Sequence, residues 1–260
     1  MDFFCNHRVL LTLHHLCCLV AILLFCRGFL LNRTELNNVS ECHDISNENS
    51  SNCAYFKTHS KLVLVVIDAL RFDFVAPSKA NNDEFYLNQF KVAQDMFNEK
   101  PKQTVAFRFT ADPPTTTMQR LKGLTSGSLP TFVDIGSNFA SSQIFEDNLI
   151  SQMSSQQRNL VFLGDDTWQG LFPTQFNKTF FFPSLNVKDL DTVDNGILKD
   201  IFSEMKRNEF DVLIAHFLGV DHCGHTFGPD HPRMASKLQQ MDQVIRCEYD
   251  ERKLYEDIIL

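Results

Sequence analysis

Hydrophobic and polar positions divide the chain into stretches of different character. From Val9 to Phe25 it is almost wholly apolar, broken only by Thr12, His14 and His15, and after Arg27 the apolar character resumes from Gly28 to Leu31. A cleaved signal peptide has a shorter apolar core followed by small residues, whereas bulky residues fill the end of this one. A lone Arg near the interface can snorkel, so residues 9–31 read as a signal anchor, a single transmembrane helix behind a short tail of residues 1–8. Residues 32–58 are polar, rich in Asn and Ser and without apolar period, the pattern of a stalk. Leu62-Val63-Leu64-Val65-Val66-Ile67 is then a continuous apolar, β-branched run that ends at Asp68. Leu160-Val161-Phe162-Leu163 repeats the pattern and ends at Gly164-Asp165-Asp166, and Val212-Leu213-Ile214-Ala215-His216-Phe217 runs on to Asp221. Runs apolar on both faces suit strands of a parallel sheet covered by helices. Helical patterns lie around residues 84–98, 145–156, 194–207 and 231–246. The alternation predicts an α/β fold with a mostly parallel sheet flanked by helices. In such sheets ligands bind beyond the carboxyl ends of the strands, where Asp68, Asp165, Asp166 and Asp221 all stand.

Composition narrows the class of partner. A net charge of -8 over 260 residues excludes a nucleic-acid binder, which would carry a basic patch or stripe. The chain holds 25 Phe, many in short runs such as Phe180-Phe181-Phe182, which core packing explains. Sequons at Asn32, Asn38, Asn49 and Asn177 are candidate glycosylation sites, three of them close behind the anchor. Cys42 and Cys53 flank the stalk's polar stretch and either close a disulfide loop or stand as free thiols, while Cys223 and Cys247 read as unpaired. Together with His7 and Arg8 in the tail, these features place the body of the chain in a secretory lumen.

The chemistry concentrates after the third apolar run. Asp221 and His225 are four residues apart in Asp-His-Cys-Gly-His, a spacing that puts both side chains on one side of a helix or turn. A carboxylate and an imidazole suit a borderline cation such as zinc or manganese, and His216, His222 and His231 lie in the same short stretch. Asp68 either caps the following helix or is a metal ligand, and Asp73 reads as a cap or a partner of Arg71. Pro113-Pro114-Thr115-Thr116-Thr117 leads into an amphipathic run, a loop entering a helix whose exposed amides favour phosphate. The threonines are either caps or, with a metal to activate one of them, a nucleophile.

These three elements in this order resemble the alkaline phosphatase superfamily, in its nucleotide pyrophosphatase-like branch. The stretches 66–74, 112–124, 164–168, 190–196 and 216–225 look more closely like the GPI ethanolamine phosphate transferases, a resemblance that covers roughly residues 28–246. It implies an alkaline-phosphatase-like catalytic domain at 59–246 and two divalent metal ions, with zinc favoured by the His ligand. Thr117 then matches the nucleophile, with Thr115 and Thr116 as neighbours. Asp68 and Thr117 match ligands of the activating metal, and Asp221 and His225 match ligands of the second. The implied reaction moves phosphoethanolamine from phosphatidylethanolamine, through a phosphothreonine, to a mannose of the GPI precursor glycolipid. The implied place is the lumenal face of the endoplasmic reticulum membrane, with a small membrane protein as stabilising subunit. The resembling enzymes continue into an Asp-His-Gly strand and a later His that complete the metal sites. Here residues 247–260 diverge, so a C-terminally truncated, weakly active or inactive form is expected. The alternatives are a catalytically dead membrane-anchored binding module and a nucleotide phosphodiesterase, the latter disfavoured by residues 112–120.

Overall fold

The three apolar runs form the strands that their composition predicts. In the computed structural model, which describes residues 2–30, 36–41, 60–77, 83–129, 143–251 and 258–259, they are β1 (Leu62–Ile67), β2 (Leu160–Asp165) and β4 (Val212–Phe217). Two more strands join them, β3 (Lys178–Phe182) and the short β5 (Ile258–Ile259). All pairings are parallel and the order is β3-β2-β4-β1-β5. β2 and β4 are buried along their whole length, as central strands covered on both faces must be. β3 was not predicted, because Phe180-Phe181-Phe182 reads as core filling; it is a half-buried edge strand whose Phe180 and Phe182 face one helical layer and Phe181 the other.

The side-chain period of two sorts the strands between two cores. Val63, Val65, Leu213, Ala215 and Phe217 pack against α7 (Thr192–Arg207) and α9 (Pro232–Glu251). Val212 and Ile214 point to the opposite face, against Met118 and Leu121 of α4 (Thr117–Ser126), Ile150 of α5 (Leu149–Ser155) and Trp168 of α6 (Thr167–Leu171). Asp68 and His216 have the parity of this second face. The remaining helices are α1 (Asp2–Phe29), α2 (Phe72–Val75), α3 (Val92–Glu99) and α8 (Gly219–Phe227).

Three helical expectations hold with shifted ends, and one is cut in half. α9 runs on through Glu251, past the boundary expected after residue 246. α3 begins only at Val92, not near 84, because the carboxylate of Asp242 on α9 accepts the amides of Lys91 and Val92, both at 2.6 Å. That acceptor comes from a distant part of the chain, and no local pattern announces it.

In α1 the stretch His7–Phe29 is long and apolar enough to cross a membrane, and its apolar side chains from Val9 to Phe25 are exposed. Its polar interruptions turn back on the helix itself. Thr12 Oγ1 donates to the carbonyl of Arg8 at 2.8 Å, and His15 Nδ1 meets that of Leu11 at 2.6 Å. Within the expected stalk, the Ser40 amide donates to Asp147 Oδ2 at 2.9 Å, and Gln152 donates to the Ser40 carbonyl at 3.1 Å, which fastens residues 36–41 to α5. Asn38 and Asn177 are exposed, while Asn32, Asn49, Cys42 and Cys53 lie outside the described residues. Cys223 and Cys247 are free thiols, as expected.

Candidate active site

The site grows from the carboxyl end of β1. The Asp68 amide donates to the Phe217 carbonyl at 3.0 Å, so the β1–β4 ladder continues one step and holds Asp68 at the strand end. Its parity aims it at the face covered by α4. There α4 begins at Thr117, whose hydroxyl donates to Asp68 Oδ2 at 2.9 Å. Thr115 and Thr116 are exposed, and Thr116, at the cap position, makes no side-chain capping bond. The three threonines are therefore not a capping motif, and Thr117 is the one that meets Asp68. Nor does Asp68 cap α2, where Arg71 takes the cap position. Arg71 pairs with Asp73 on the surface, one of the two readings of Asp73.

The second part of the site follows β4. α8 is a nine-residue helix, so Asp221 and His225 share a face, with His225 Nε2 3.5 Å from Asp221 Oδ1. Burial raises the Asp221 carboxyl above the ordinary carboxylate range, and the charge of Asp68 adds to it, against the opposing pull of His225, His222 and His216. Asp68 and Asp221 thus confront one another as like charges. The clustered histidines divide by task. His222 Nδ1 bonds the carbonyl of Asp189 at 2.7 Å, and His231 accepts the Arg233 amide at 3.1 Å and stacks on Phe227. Only His216 and His225 turn to the strand ends.

His216 is the functional candidate that pattern reading left unassigned. It is 1% exposed, with Nε2 3.8 Å from Asp68 Oδ2 and Nδ1 3.5 Å from Asp165 Oδ2. The Trp168 indole N–H donates to Nδ1 at 3.0 Å, and an indole can only donate. A singly protonated ring therefore carries its hydrogen on Nε2, on the side of Asp68. The available signal was an imidazole inside an otherwise apolar, fully buried strand. Gly164, with φ 137°, lets β2 approach, since a Cβ there would lie 2.4 Å from the His216 carbonyl oxygen.

The donor set fits a divalent cation in kind. Two carboxylates, an imidazole and a hydroxyl are borderline-hard ligands. Asp221 is raised by burial first and by the charge of Asp68 second, so a cation there would find a carboxylate that gains from a positive neighbour. In number the set is short. Among the described residues, no three His, Cys, Asp or Glu side chains converge closely enough to hold a metal ion.

Residues 166–257, which include Asp221 and His225, match the family of type I phosphodiesterases and nucleotide pyrophosphatases. Over 255 residues the chain is 52% identical to the human GPI ethanolamine phosphate transferase 3, catalytic subunit, an alignment covering 92% of this chain and 23% of the human one. The chain belongs to the GPI ethanolamine phosphate transferase 3 family. The family member of Schizosaccharomyces pombe is 48% identical over 229 residues, 85% of this chain and 25% of its own. The chain thus spans about a quarter of the length of these relatives. Among solved structures, murine ectonucleotide pyrophosphatase/phosphodiesterase 5 aligns with a TM-score of 0.49 and 14% identity over 76% of this chain and 54% of that one. Along this chain the site elements follow in the order β1 with Asp68 at its end, α4 with Thr117 at its start, β4 with His216, and α8 with Asp221 and His225.

Proposed function

We propose that the chain carries the phosphoethanolamine-transfer centre of its family, with Thr117 as nucleophile. The observation that supports this reading is the Thr117 hydroxyl donated to Asp68 at 2.9 Å, at the carboxyl end of a parallel strand. The Thr117 oxygen attacks the phosphorus of phosphatidylethanolamine. The Thr117 O–P bond forms, the P–O bond to glycerol breaks, and diacylglycerol leaves with a proton. A mannose hydroxyl of the GPI precursor then attacks the phosphothreonine, its O–P bond replacing the one to Thr117, and its proton passes to the released Thr117 oxygen. Asp68 accepts the hydrogen bond that aims the hydroxyl, and the buried His216 flanks the same carboxylate oxygen. Asp68 and Thr117 would hold one divalent cation and Asp221 and His225 another, zinc by preference. When bound, such ions stabilise the charge that develops on the phosphoryl oxygens. We place the centre on the lumenal side of the endoplasmic reticulum membrane, with the apolar residues 9–31 as anchor. Asn32, Asn38, Asn49 and Asn177 are glycosylated in this reading, Cys42 and Cys53 are joined, and a small membrane subunit stabilises the assembly.

A second reading, a catalytically inert membrane-anchored module, has one observation in its favour, the short donor set among the described residues. The two are separated by incubating the chain with phosphatidylethanolamine labelled in the headgroup and sequencing the labelled peptide by mass spectrometry. Transfer predicts phosphoethanolamine on Thr117, lost in Thr117→Ala and kept in Thr115→Ala and Thr116→Ala. No covalent label, or label that survives Thr117→Ala, rejects the first reading.

A further inference from the structure

Behind α8, away from the strand ends, lies a pair of buried charges that the proposed reaction does not use. Lys237 of α9 is 5% exposed and Asp194, in the first turn of α7, is 1% exposed. Lys237 Nζ reaches Asp194 Oδ2 at 3.2 Å, Asp191 Oδ1 at 2.6 Å and Gln240 Oε1 at 2.9 Å. The other oxygen, Asp194 Oδ1, accepts the amides of Leu218 and Gly219, each at 3.0 Å. These are the opening N–H groups of α8, which have no partner inside the helix, and α8 has no side-chain cap of its own. The contact needs Gly219, since a Cβ there would stand 2.1 Å from Asp194 Oδ2 and 2.8 Å from Lys237 Nζ. The far side of α8 is tied to the loop before α7 as well, by His222 on the Asp189 carbonyl and Thr226 on the Val187 carbonyl at 3.0 Å.

Energetics explain why such an arrangement points beyond stability. A buried ion pair often gives a fold no more than well-packed apolar side chains of the same volume would, because desolvation offsets the attraction. What the pair supplies instead is geometry. A carboxylate with both oxygens engaged, one by a cation and one by a helix terminus, holds that terminus in a single place. Asp221 stands two residues beyond Gly219, and His225 one turn after that.

We propose that Asp194, with Lys237 as its buried counterion, is the positioning residue of the Asp221–His225 pair. It pins the first turn of α8 and so sets where these two side chains stand opposite Asp68. This rests on the reading of Asp221 and His225 as ligands.

The test compares the full chain with Asp194→Ala, Asp194→Asn, Lys237→Met and the double variant Asp194→Asn/Lys237→Met. Glu204→Gln is the control. Glu204 is equally buried, near the other end of α7 and paired with Lys178 at 2.7 Å and Arg207 at 2.8 Å, about 15 Å along the helix from Asp194. Two quantities are measured, zinc affinity by competition with a chromogenic chelator, and amide hydrogen exchange across residues 218–227 without metal. Asp194→Ala is expected to weaken zinc binding about tenfold or more and to release protection at Leu218 and Gly219. Glu204→Gln is expected to lower the melting temperature while leaving both quantities in place. Asn keeps the acceptor but takes from Lys237 the buried one of its two carboxylate partners, leaving it Asp191 and Gln240. The double variant therefore recovers zinc affinity to within about threefold of the parent where either single change does not. An Asp194→Ala variant whose α8 exchange is unchanged, or whose zinc affinity falls no further than that of Glu204→Gln, overturns the proposal. If His225→Ala leaves the parent's zinc affinity intact, the ligand reading has failed, and the exchange data decide the positioning alone. Protection lost in Asp194→Ala and restored in the double variant upholds it, and protection that is not restored overturns it.

Discussion

The two halves of the candidate site are built in opposite ways. Asp68 and Thr117 are locked by the sheet itself, since one ends a central ladder, the other opens the helix packed on that ladder, and a direct 2.9 Å hydrogen bond joins them. Asp221 and His225 ride on a helix of nine residues, 3.5 Å apart, with the His225 side chain 63% exposed. The first half needs only strand parity and one helix start. The second depends on α7, α9 and the loop before α7 to hold α8 in place. A half-site preformed by backbone pairing suits a nucleophile, which must be aimed before substrate arrives. A half-site held by side chains from elsewhere can be shifted without disturbing the first, so mutations can separate the two.

The largest expected effect falls on the first half. Thr117→Ala should lower phosphoethanolamine transfer at least about a thousandfold, measured as product from labelled phosphatidylethanolamine, because no other described hydroxyl donates to Asp68. Full activity in that variant would remove Thr117 from the mechanism. Next comes the second half. Gly219→Ala should cost about 3 kcal/mol in urea unfolding, since its methyl group would collide with the Asp194 carboxylate and Leu190 carbonyl oxygens, and a loss under about 0.5 kcal/mol would mean that α8 is loosely held. Smaller again is Trp168→Phe, which removes the donor to His216 Nδ1 and should cost about 1–2 kcal/mol through an unsatisfied buried nitrogen. Unchanged stability there would show that the indole bond does not hold His216.

The smallest effect is a pH dependence that distinguishes the halves by charge. The Asp221 acid is raised in the folded state, by burial first and by Asp68 second. Its contribution to stability is therefore fully present below the unfolded carboxylate value, about pH 4, and is lost as pH rises through the folded value. Without metal, Asp221→Asn should melt higher than the parent at pH 7, with the advantage gone near pH 3. Added zinc should reverse the order at pH 7, because only the parent offers the carboxylate. Melting curves of the two proteins with and without zinc check this, and a parent that melts higher than the variant at pH 7 without metal would contradict it.

Much of the architecture was legible because its signals are local. Apolar runs from 62 to 67, 160 to 165 and 212 to 217 contain no polar side chain but His216 before their terminal acids, and only a doubly covered parallel sheet accommodates them. The same reasoning put Asp68 and Asp221 at the strand ends, and the four-residue spacing put Asp221 and His225 on one face. β3 escaped because its apolar run is only the three residues Phe180-Phe181-Phe182, and a half-buried edge strand has no clean alternation to extend it. Its Lys178-Thr179 opening looks like loop.

What the sequence by itself determined, then, is the order of chemistry along the chain, an acid at a strand end, a threonine at a helix start, and an acid and a histidine one turn apart on a short helix. Periodicity and end signals are short-range properties, and each can be read within a window of a few residues. Only the tertiary structure decided which of them touch. It chose Thr117 over Thr115 and Thr116 through the phase of α4 on the sheet, and it turned His216 inward against Trp168 while tying His222 to a loop. It also started α3 at an acceptor from α9 and capped α8 with a carboxylate from α7. The physical reason is the same in each case. A buried donor must find an acceptor, and which acceptor lies within 3 Å is settled by how layers pack, not by what precedes it in the chain.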